Sequence, residues 1–492
     1  MKVAFIGGGI GAMTSALLLR RQGLDVTVFE RGSRLGGRLA YEEGEGYKID
    51  QGPTIVLLPE TLLGIMEEAG ISRHKLPLLP CDPMYNIHYA DGTVLRKWRD
   101  TDRQAEELES LSPGAGKGFR SFMEDMRPLF QQGQSSLLGR PFLRRRDFFN
   151  WANLSLLLKF RAYSSVRKQV SRYFKDERII DAYSLQTLYI GGAPFQSPSL
   201  YALLPYAEHA FGVWYLKGGY ASLVNVMEEE MEKQGVAIYR NAYVEKIITK
   251  GRRCTGIVVG GDERQFDAVV YNGDFPHLST LFPQGVKKPP VKSYKPSSGC
   301  VLLYLGLNRR YEDAAAHQFF LPDSLTGSLR RIFIEGRMPN DPSFYVFYPS
   351  AIDSDVAPDG ESVMYMLIPA PPEGKVDWVT ETPQLIAKVL EEAEKRGFPG
   401  LRDAIRWQSV RTPQDAVLEG LYQGGSFGIA PTLSQSALFR PQIVPYDIEG
   451  LYAVGASVHP GGGIPIVMQG ARLLANQLLK ERCSHGNSRK LG

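Results

Sequence analysis

Cysteine is scarce in this 492-residue chain, with Cys81, Cys254, Cys300 and Cys483 standing far apart. That spacing excludes a disulfide framework and a zinc ribbon, and it fits a reducing compartment. The seven histidines form no HxxxH or similar pattern, so no metal is predicted. No apolar run is long enough to span a bilayer, and there is no internal repeat. The apolar stretch ending at Leu19 is glycine-rich in its middle, runs into Arg20-Arg21 and lacks a small-residue cleavage site, which argues against a secretory signal. Together these absences predict a cytoplasmic protein. Net charge is only +4, and no known nucleic-acid module surrounds the basic residues, so no nucleic-acid partner is expected. What remains is an ordinary globular composition, 43% hydrophobic and 11% aromatic, with room for two or three domains.

The start of the chain carries a phosphate grip. Val3 to Ile6 is a buried-strand pattern, followed at once by Gly7-x-Gly9-x-x-Ala12. Ala16 to Leu19 supply a helical apolar face, Gly23 ends that helix, and Val26 to Phe29 form a second strand with Glu30 at its end. This is the order that dinucleotide binding needs. Gly7 permits the tight turn, Gly9 and Gly11 let backbone approach a pyrophosphate, and Ala12 keeps helix and strand close. Ile10 opens the helix, whose free N–H groups favour an anion. Glu30, followed by Arg31, is placed to accept ribose hydroxyls.

Three further segments point to FAD rather than NAD. Arg34-Leu35-Gly36-Gly37-Arg38 offers a glycine pair and a guanidinium for a second approach to the pyrophosphate. Tyr47 to Thr54 reads as a strand turning into the bend Gly52-Pro53-Thr54. Near the other end, Leu451 to Gly455 leads to His459-Pro460-Gly461-Gly462-Gly463-Ile464-Pro465. Gly455 and the Gly463-Ile464 turn, with Val467, are expected to face the flavin. Proline at the first turn suits a helix whose positive end stabilises reduced anionic flavin. Only one dinucleotide fingerprint is present. The substrate is therefore expected to reduce the flavin, with a quinone or oxygen accepting the electrons.

Between these ends, residues 56 to 200 read mainly as helix. From 212 the chain returns to an α/β layer through Asn272, with the strands after 236 continuing one sheet, and residues 298 to 370 are strand-rich. Charge is concentrated. Residues 140 to 175 hold ten Lys or Arg against Asp147 alone, a net +9 that leaves −5 for the rest of the chain. Phe142, Leu143, Phe148, Phe149, Trp151, Leu154, Leu158 and Phe160 are interleaved with them. Such a segment suits either a lipid headgroup layer or a solvated basic face over an apolar core.

Six further segments carry a family likeness. They are Asp50-Gln51-Gly52-Pro53-Thr54, Leu185 to Gly191, Phe211 to Tyr215 with Lys217-Gly218-Gly219, Asp341 to Val346, Ala357 to Gly360 and Gly425 to Gly428, and the stretch Leu451 to Ala471 closes the set. In this order they resemble the bacterial carotenoid desaturases of the phytoene type. Pro53 to Val56, Ile429 to Ser436 and Gly455 to Gly461 resemble the C30, 4,4'-diapophytoene (dehydrosqualene) desaturase branch. The resemblance implies an α/β fold with a Rossmann-type FAD domain like those of glutathione reductase and amine oxidases. It also implies a sheet-based substrate domain and a helical membrane-contact domain. The expected division is 1–55, 212–285 and 440–483 for FAD, 56–100 and 286–439 for substrate, 101–211 for the helical part, and a disordered tail at 484–492.

The activity so implied is dehydrogenation of an acyclic carotenoid precursor, 4,4'-diapophytoene to 4,4'-diaponeurosporene-type products. Alternatives are a C30 terminal-methyl oxidase, a C40 phytoene desaturase and a redox-neutral isomerase. An amine oxidase would need a polar pocket, and a carotenoid carrier would not need FAD. The membrane reading of residues 140–175 gains weight, and a place on the inner face of the cell membrane is expected. Val244 is expected at the adenine. Glu208, with its neighbour His209, is the candidate base, and Asp50 reads as a turn-stabilising residue.

Overall fold

The computed structural model describes residues 1–282, 293–374 and 376–488. Three distant parts of the chain meet in one five-stranded parallel sheet, ordered Leu451–Ala453, Ala268–Tyr271, Lys2–Ile6, Asp25–Phe29 and Ala237–Tyr239. Strands covered on both faces need continuous apolar runs, and Val3, Ala4, Phe5, Val269 and Val270 are fully buried. The helix Ile10–Arg21 covers one face and packs against the last helix, Ile464–Ser488.

The expectation that the strands after 236 continue this sheet holds for Ala237–Tyr239 and Ala268–Tyr271 and is corrected for the strands between them. Val244–Lys250, Arg253–Val259 and Asp262–Gln265 form a separate three-stranded antiparallel sheet. Tight turns at Gly251 and at Gly260-Gly261, all with positive φ, let each strand fold back on its neighbour.

A seven-stranded sheet forms the second layer, ordered Ile405–Arg411, Gly299–Leu307, Ser362–Ala370, Phe344–Phe347, His317–Phe320, Tyr85–His88 and Val94–Lys97. The period of two along Gly299–Leu307 separates its faces. Val301, Leu303 and Leu305 pack in the core shared with the helix Trp378–Arg396, whereas Cys300, Leu302 and Tyr304 turn to the opposite side. Residues 56–200 are thus less helical than their pattern suggests, because Leu78–Pro80, Tyr85–His88 and Val94–Lys97 are strands. Each is too short to show alternation, and each finds a partner outside the segment or beside it: Leu78–Pro80 pairs with Trp214–Leu216 and Tyr85–His88 with His317–Phe320.

The helices Thr101–Leu111, Ala115–Gly133, Trp151–Lys159 and Leu203–Phe211 pack over the same side as Cys300 and Leu302. Among the described residues no helix is long and apolar enough to cross a membrane. The expected disordered tail is corrected for its first part, since the last helix runs to Ser488. Residues 489–492, and the boundary expected at 285/286, lie outside the described residues.

Candidate functional site

One cavity of about 1060 Å³ runs from the glycine turns of the parallel sheet to the aromatic face of the seven-stranded sheet. Ligand pockets usually enclose roughly 300–1,000 Å³, so this one has space for a cofactor and a second ligand.

At the sheet end, Gly7 holds a φ of +92°, and a Cβ there would come within 3.3 Å of the Asn272 carbonyl. A Cβ on Gly11 would lie 2.9 Å from Asn272 Oδ1 and 3.1 Å from Val454. The turn therefore lies against Asn272, whose Oδ1 accepts the Ala12 N–H, and only glycine leaves the backbone open to the cavity. Glu30 accepts from the N–H groups of Gly8 (2.7 Å) and Gly32 (2.8 Å), which fixes the turn to the end of its strand. The second glycine pair is docked onto the first, since Gly36 N–H donates to the Gly8 carbonyl at 2.9 Å. Gly7, Gly9, Ile10, Gly11, Glu30, Arg31, Gly37 and Arg38 all line the cavity. So do Gly52, Pro53, Thr54, Val244, Gly455, Gly463, Ile464 and Val467. Ala12 does not; it is fully buried and serves to hold the turn.

Arg38 is half-buried, and desolvation lowers its pKa from the usual guanidinium value while nearby Asp274 opposes that shift. Its Nη1 donates to the Ser426 carbonyl at 3.0 Å, leaving other donors for an anion. The last helix begins on the cavity wall with no acid in its first turn, so its positive end is unneutralised. These features fit a dinucleotide pyrophosphate and an electron-accepting ring. When bound, FAD would supply the hydride acceptor.

Three residues on this wall carried no motif. Asn272 clamps the glycine turn. Asp274 accepts from Tyr422 N–H at 2.9 Å and from the Ser457 hydroxyl. Arg440 is buried, and its Nε has no hydrogen-bond partner among the described residues. No local spacing announces them: Asn272 and Asp274 follow the strand Ala268–Tyr271, Arg440 lies on a separate loop, and the partners they hold are far along the chain.

The far end is aromatic. Tyr189, Phe319 and Tyr345 line it, with ring centroids 6.0 Å apart for Tyr189–Phe319 and 4.9 Å for Phe319–Tyr345. Tyr345 Oη lies 2.7 Å from Thr54 Oγ1 and 2.6 Å from His317 Nδ1. Burial holds His317 down to about 3, so the ring is neutral.

The two residues expected in catalysis are brought close to this end but not onto it. Glu208 and His209 lie on Leu203–Phe211, are buried and are absent from the cavity wall. His209 is engaged with the Trp98 carbonyl (2.8 Å) and the Tyr183 hydroxyl (3.2 Å), and burial holds its pKa well below the usual imidazole range. This corrects its expected direct role, since both ring nitrogens are occupied. Glu208 is raised by burial, with Lys97 acting the other way, and it accepts from Tyr85, Tyr189 and Gln186. Asp50 also lies off the cavity, capping Tyr220 and Ala221.

A glycine-built dinucleotide site opening into an apolar chamber is the arrangement of a flavin oxidoreductase. The family model of flavin-containing amine oxidoreductases matches residues 13–479. The chain belongs to that family. The 4,4'-diapolycopen-4-al dehydrogenase of Metabacillus indicus is 48% identical over 492 residues, covering 100% of this chain and 99% of the relative. The zeta-carotene-forming phytoene desaturase of Myxococcus xanthus is 34% identical, covering 97% and 94%. The 4,4'-diapophytoene desaturase of Staphylococcus haemolyticus is 33% identical, covering 99% and 100%. The likeness to carotenoid desaturases read from the motifs is borne out, as are the amine-oxidase type of fold and FAD as cofactor. The family member described here is an FAD-dependent oxidoreductase.

Proposed function

We propose that this enzyme oxidises the end of a linear C30 carotenoid, converting a terminal aldehyde, as its hydrate, to the carboxylic acid. The observation that carries the reading is the single cavity joining the cofactor turns to a long aromatic chamber. The full-length relative at 48% is named for such an aldehyde. The Thr54–Tyr345–His317 hydroxyl and imidazole chain supports it, because a hydrocarbon has no use for hydrogen-bonding groups in its pocket. The second reading is desaturation of 4,4'-diapophytoene to 4,4'-diaponeurosporene-type products, favoured by the otherwise apolar chamber and by the relative at 33%.

The domain roles are part of the proposal. We assign 1–55, 212–285 and 440–483 to FAD, 56–100 and 286–439 to substrate, and 101–211 to membrane contact. In residues 140–175, Trp151 (83%), Tyr163 (75%) and Leu158 (68%) are exposed although large and apolar, and Leu143 and Phe149 join them. Moving a C30 chain through water costs about 0.8 kcal/mol per carbon, on the order of 20 kcal/mol. Loading from the inner leaflet avoids that barrier. A quinone or oxygen reoxidises the flavin.

The test offers the purified, FAD-loaded chain 4,4'-diapolycopen-4-al and, separately, 4,4'-diapophytoene, each in liposomes. Carboxylic acid from the first is the expected result. A longer chromophore from the second, with the aldehyde unchanged, would replace this reading with the desaturase one.

A further inference from the structure

Behind the aromatic wall lies an arrangement that packing alone does not explain. Glu208 and Lys97 are both fully buried, on different elements, the helix Leu203–Phe211 and the strand Val94–Lys97. Glu208 Oε2 accepts from Tyr85 Oη at 2.6 Å and Gln186 Nε2 at 3.1 Å, and its Oε1 accepts from Tyr189 Oη at 3.0 Å. Lys97 Nζ makes no hydrogen bond among the described residues and lies 3.5 Å from the Tyr183 ring centroid. Burial lowers Lys97 to about 7, with Glu208 opposing the shift. Apolar side chains of the same volume would fill this space at lower cost than two charged groups. Buried, perturbed carboxylates and amines beside a cavity are a mark of proton chemistry.

Of the groups bonded to Glu208, only Tyr189 also lines the cavity. Phe319 closes the wall beside it, with its ring 5.1 Å from Tyr85 on one side and 6.0 Å from Tyr189 on the other. Tyr189 is thus the residue of this partition that both lines the cavity and bonds Glu208.

We propose that Tyr189 takes the substrate's proton while passing its own to Glu208, so that the carboxylate acts through the phenol. The proposal rests on the carotenoid-oxidoreductase reading above. For a hydrated aldehyde, the carbon gives up its hydrogen with both electrons to the flavin, the two-electron oxidant. The O–H bond breaks, and its electrons form the carbonyl of the acid. That proton bonds to Tyr189 Oη as the phenolic proton moves to Glu208 Oε1. For a desaturation, the same phenol takes the proton from the carbon next to the one that loses hydride, and the C–H electrons form the new double bond. Tyr189 is the catalytic residue. Glu208 is the proton store, and Lys97 is a positioning residue that keeps the carboxylate charged before the proton arrives. Tyr85, Tyr183 and His209 are the other titratable groups packed on the pair.

The experiment uses the full-length, FAD-loaded protein and follows anaerobic flavin reduction across pH with both carotenoids in liposomes. Tyr189→Phe is expected to slow reduction by about 10²–10⁴-fold, the usual range for general base catalysis, with FAD affinity unchanged. Glu208→Gln is expected to slow it similarly and to flatten the pH profile. A rate for Tyr189→Phe within about tenfold of wild type overturns the relay. Should Glu208→Gln fold poorly, the double variant Lys97→Met with Glu208→Gln removes both charges together. It is expected to fold and to keep the slow, flat profile, and wild-type rates from it overturn the proposal. Infrared spectroscopy reads the relay without turnover. The ionised carboxylate band absent from Glu208→Gln must shift in Tyr189→Phe, and an unshifted band sinks the idea. Failure of wild type to react with either carotenoid, with the band shifted, instead counts against the substrate reading.

Discussion

Asp50 ends the strand Tyr47–Asp50, and its carboxylate accepts from the N–H groups of Tyr220 and Ala221 at 2.9 Å each. It thereby caps the helix Tyr220–Lys233 from a distant part of the chain. Burial pushes Asp50 up to about 7 from 3.8, although both N–H bonds and Lys48 favour the charged form. The folded-state pKa lies above the unfolded one. The stability this proton contributes is therefore complete below about 3.8 and is lost as pH rises through about 7. Wild type should lose a few kcal/mol of unfolding free energy between about pH 4 and about pH 8 through this group alone, and Asp50→Asn should flatten that part of the curve. Denaturant titrations at several pH values check it; equal slopes would refute it. A second residue-scale expectation concerns Gly7. An alanine there must hold φ near +92° against the Asn272 carbonyl, costing roughly 1–2 kcal/mol or more. FAD affinity, read from flavin fluorescence, should fall about tenfold or further. These glycines were legible in the sequence because a phosphate-binding turn needs backbone without Cβ at fixed spacing. Asn272, Asp274 and Arg440 were not, because the groups they hold, at Ala12, Tyr422, Ser457 and Ala456, come together only in the fold and leave no local pattern.

At the scale of elements, the strands Lys2–Ile6 and Asp25–Phe29 were readable as apolar runs bounded by glycine and charge, and the helix between them as a periodic apolar face. The three short strands between 78 and 97 were hidden, since each is too short to show alternation and two of them, Leu78–Pro80 and Tyr85–His88, find partners far along the chain. Glu208 and His209 were placed near the substrate end by their neighbourhood, but the sequence could not show that neither lines the cavity and that Glu208 reaches its wall only through Tyr189. The helix Trp151–Lys159 is the element whose surface makes the strongest demand. Its Asn150 cap accepts from Asn153 N–H at 2.9 Å, and Asn153 and Leu156 face inward while Trp151 and Leu158 face out. Neighbouring Phe142 is tied to Gln442 by its N–H at 3.0 Å, which joins this region to the loop carrying exposed Leu433 and Phe439. Burying one such side chain in a lipid interface is worth about 1.5–3 kcal/mol. The double variant Trp151→Ser with Leu158→Ser should weaken cosedimentation with anionic vesicles by about 100-fold or more, with FAD binding intact. Undiminished cosedimentation would remove this helix from the docking surface.

The whole molecule is electrically lopsided. Residues 140–175 carry +9 while the rest carries −5, so an anionic surface attracts one segment and repels the remainder. On the membrane docking proposed above, that asymmetry would orient the approach as well as strengthen it, and would turn the exposed apolar side chains of the same segment toward lipid. The helix Ala115–Gly133 and the turn after it connect this segment to the chamber, since Phe130, Gly133, Leu137 and Leu138 line the cavity. Docking in this orientation would bring the cavity near the leaflet that dissolves the proposed substrate. Each Lys or Arg near an anionic surface contributes about 1 kcal/mol, an attraction confined to about a Debye length, which shrinks from about 10 Å at 0.1 M salt to about 3 Å at 1 M. Turnover of a carotenoid in anionic vesicles should therefore fall by about tenfold or more as salt rises over that range, and should fall as far when the vesicles are made neutral. The affinity for FAD, held in a glycine-lined site by backbone groups, should change far less. The same salt series with the carotenoid in neutral detergent micelles separates delivery from chemistry. A flat response there with a steep one on anionic vesicles is the expected pair. Equal steepness in both would mean that salt acts on the catalytic site, and the charge asymmetry would then have no part in loading the substrate.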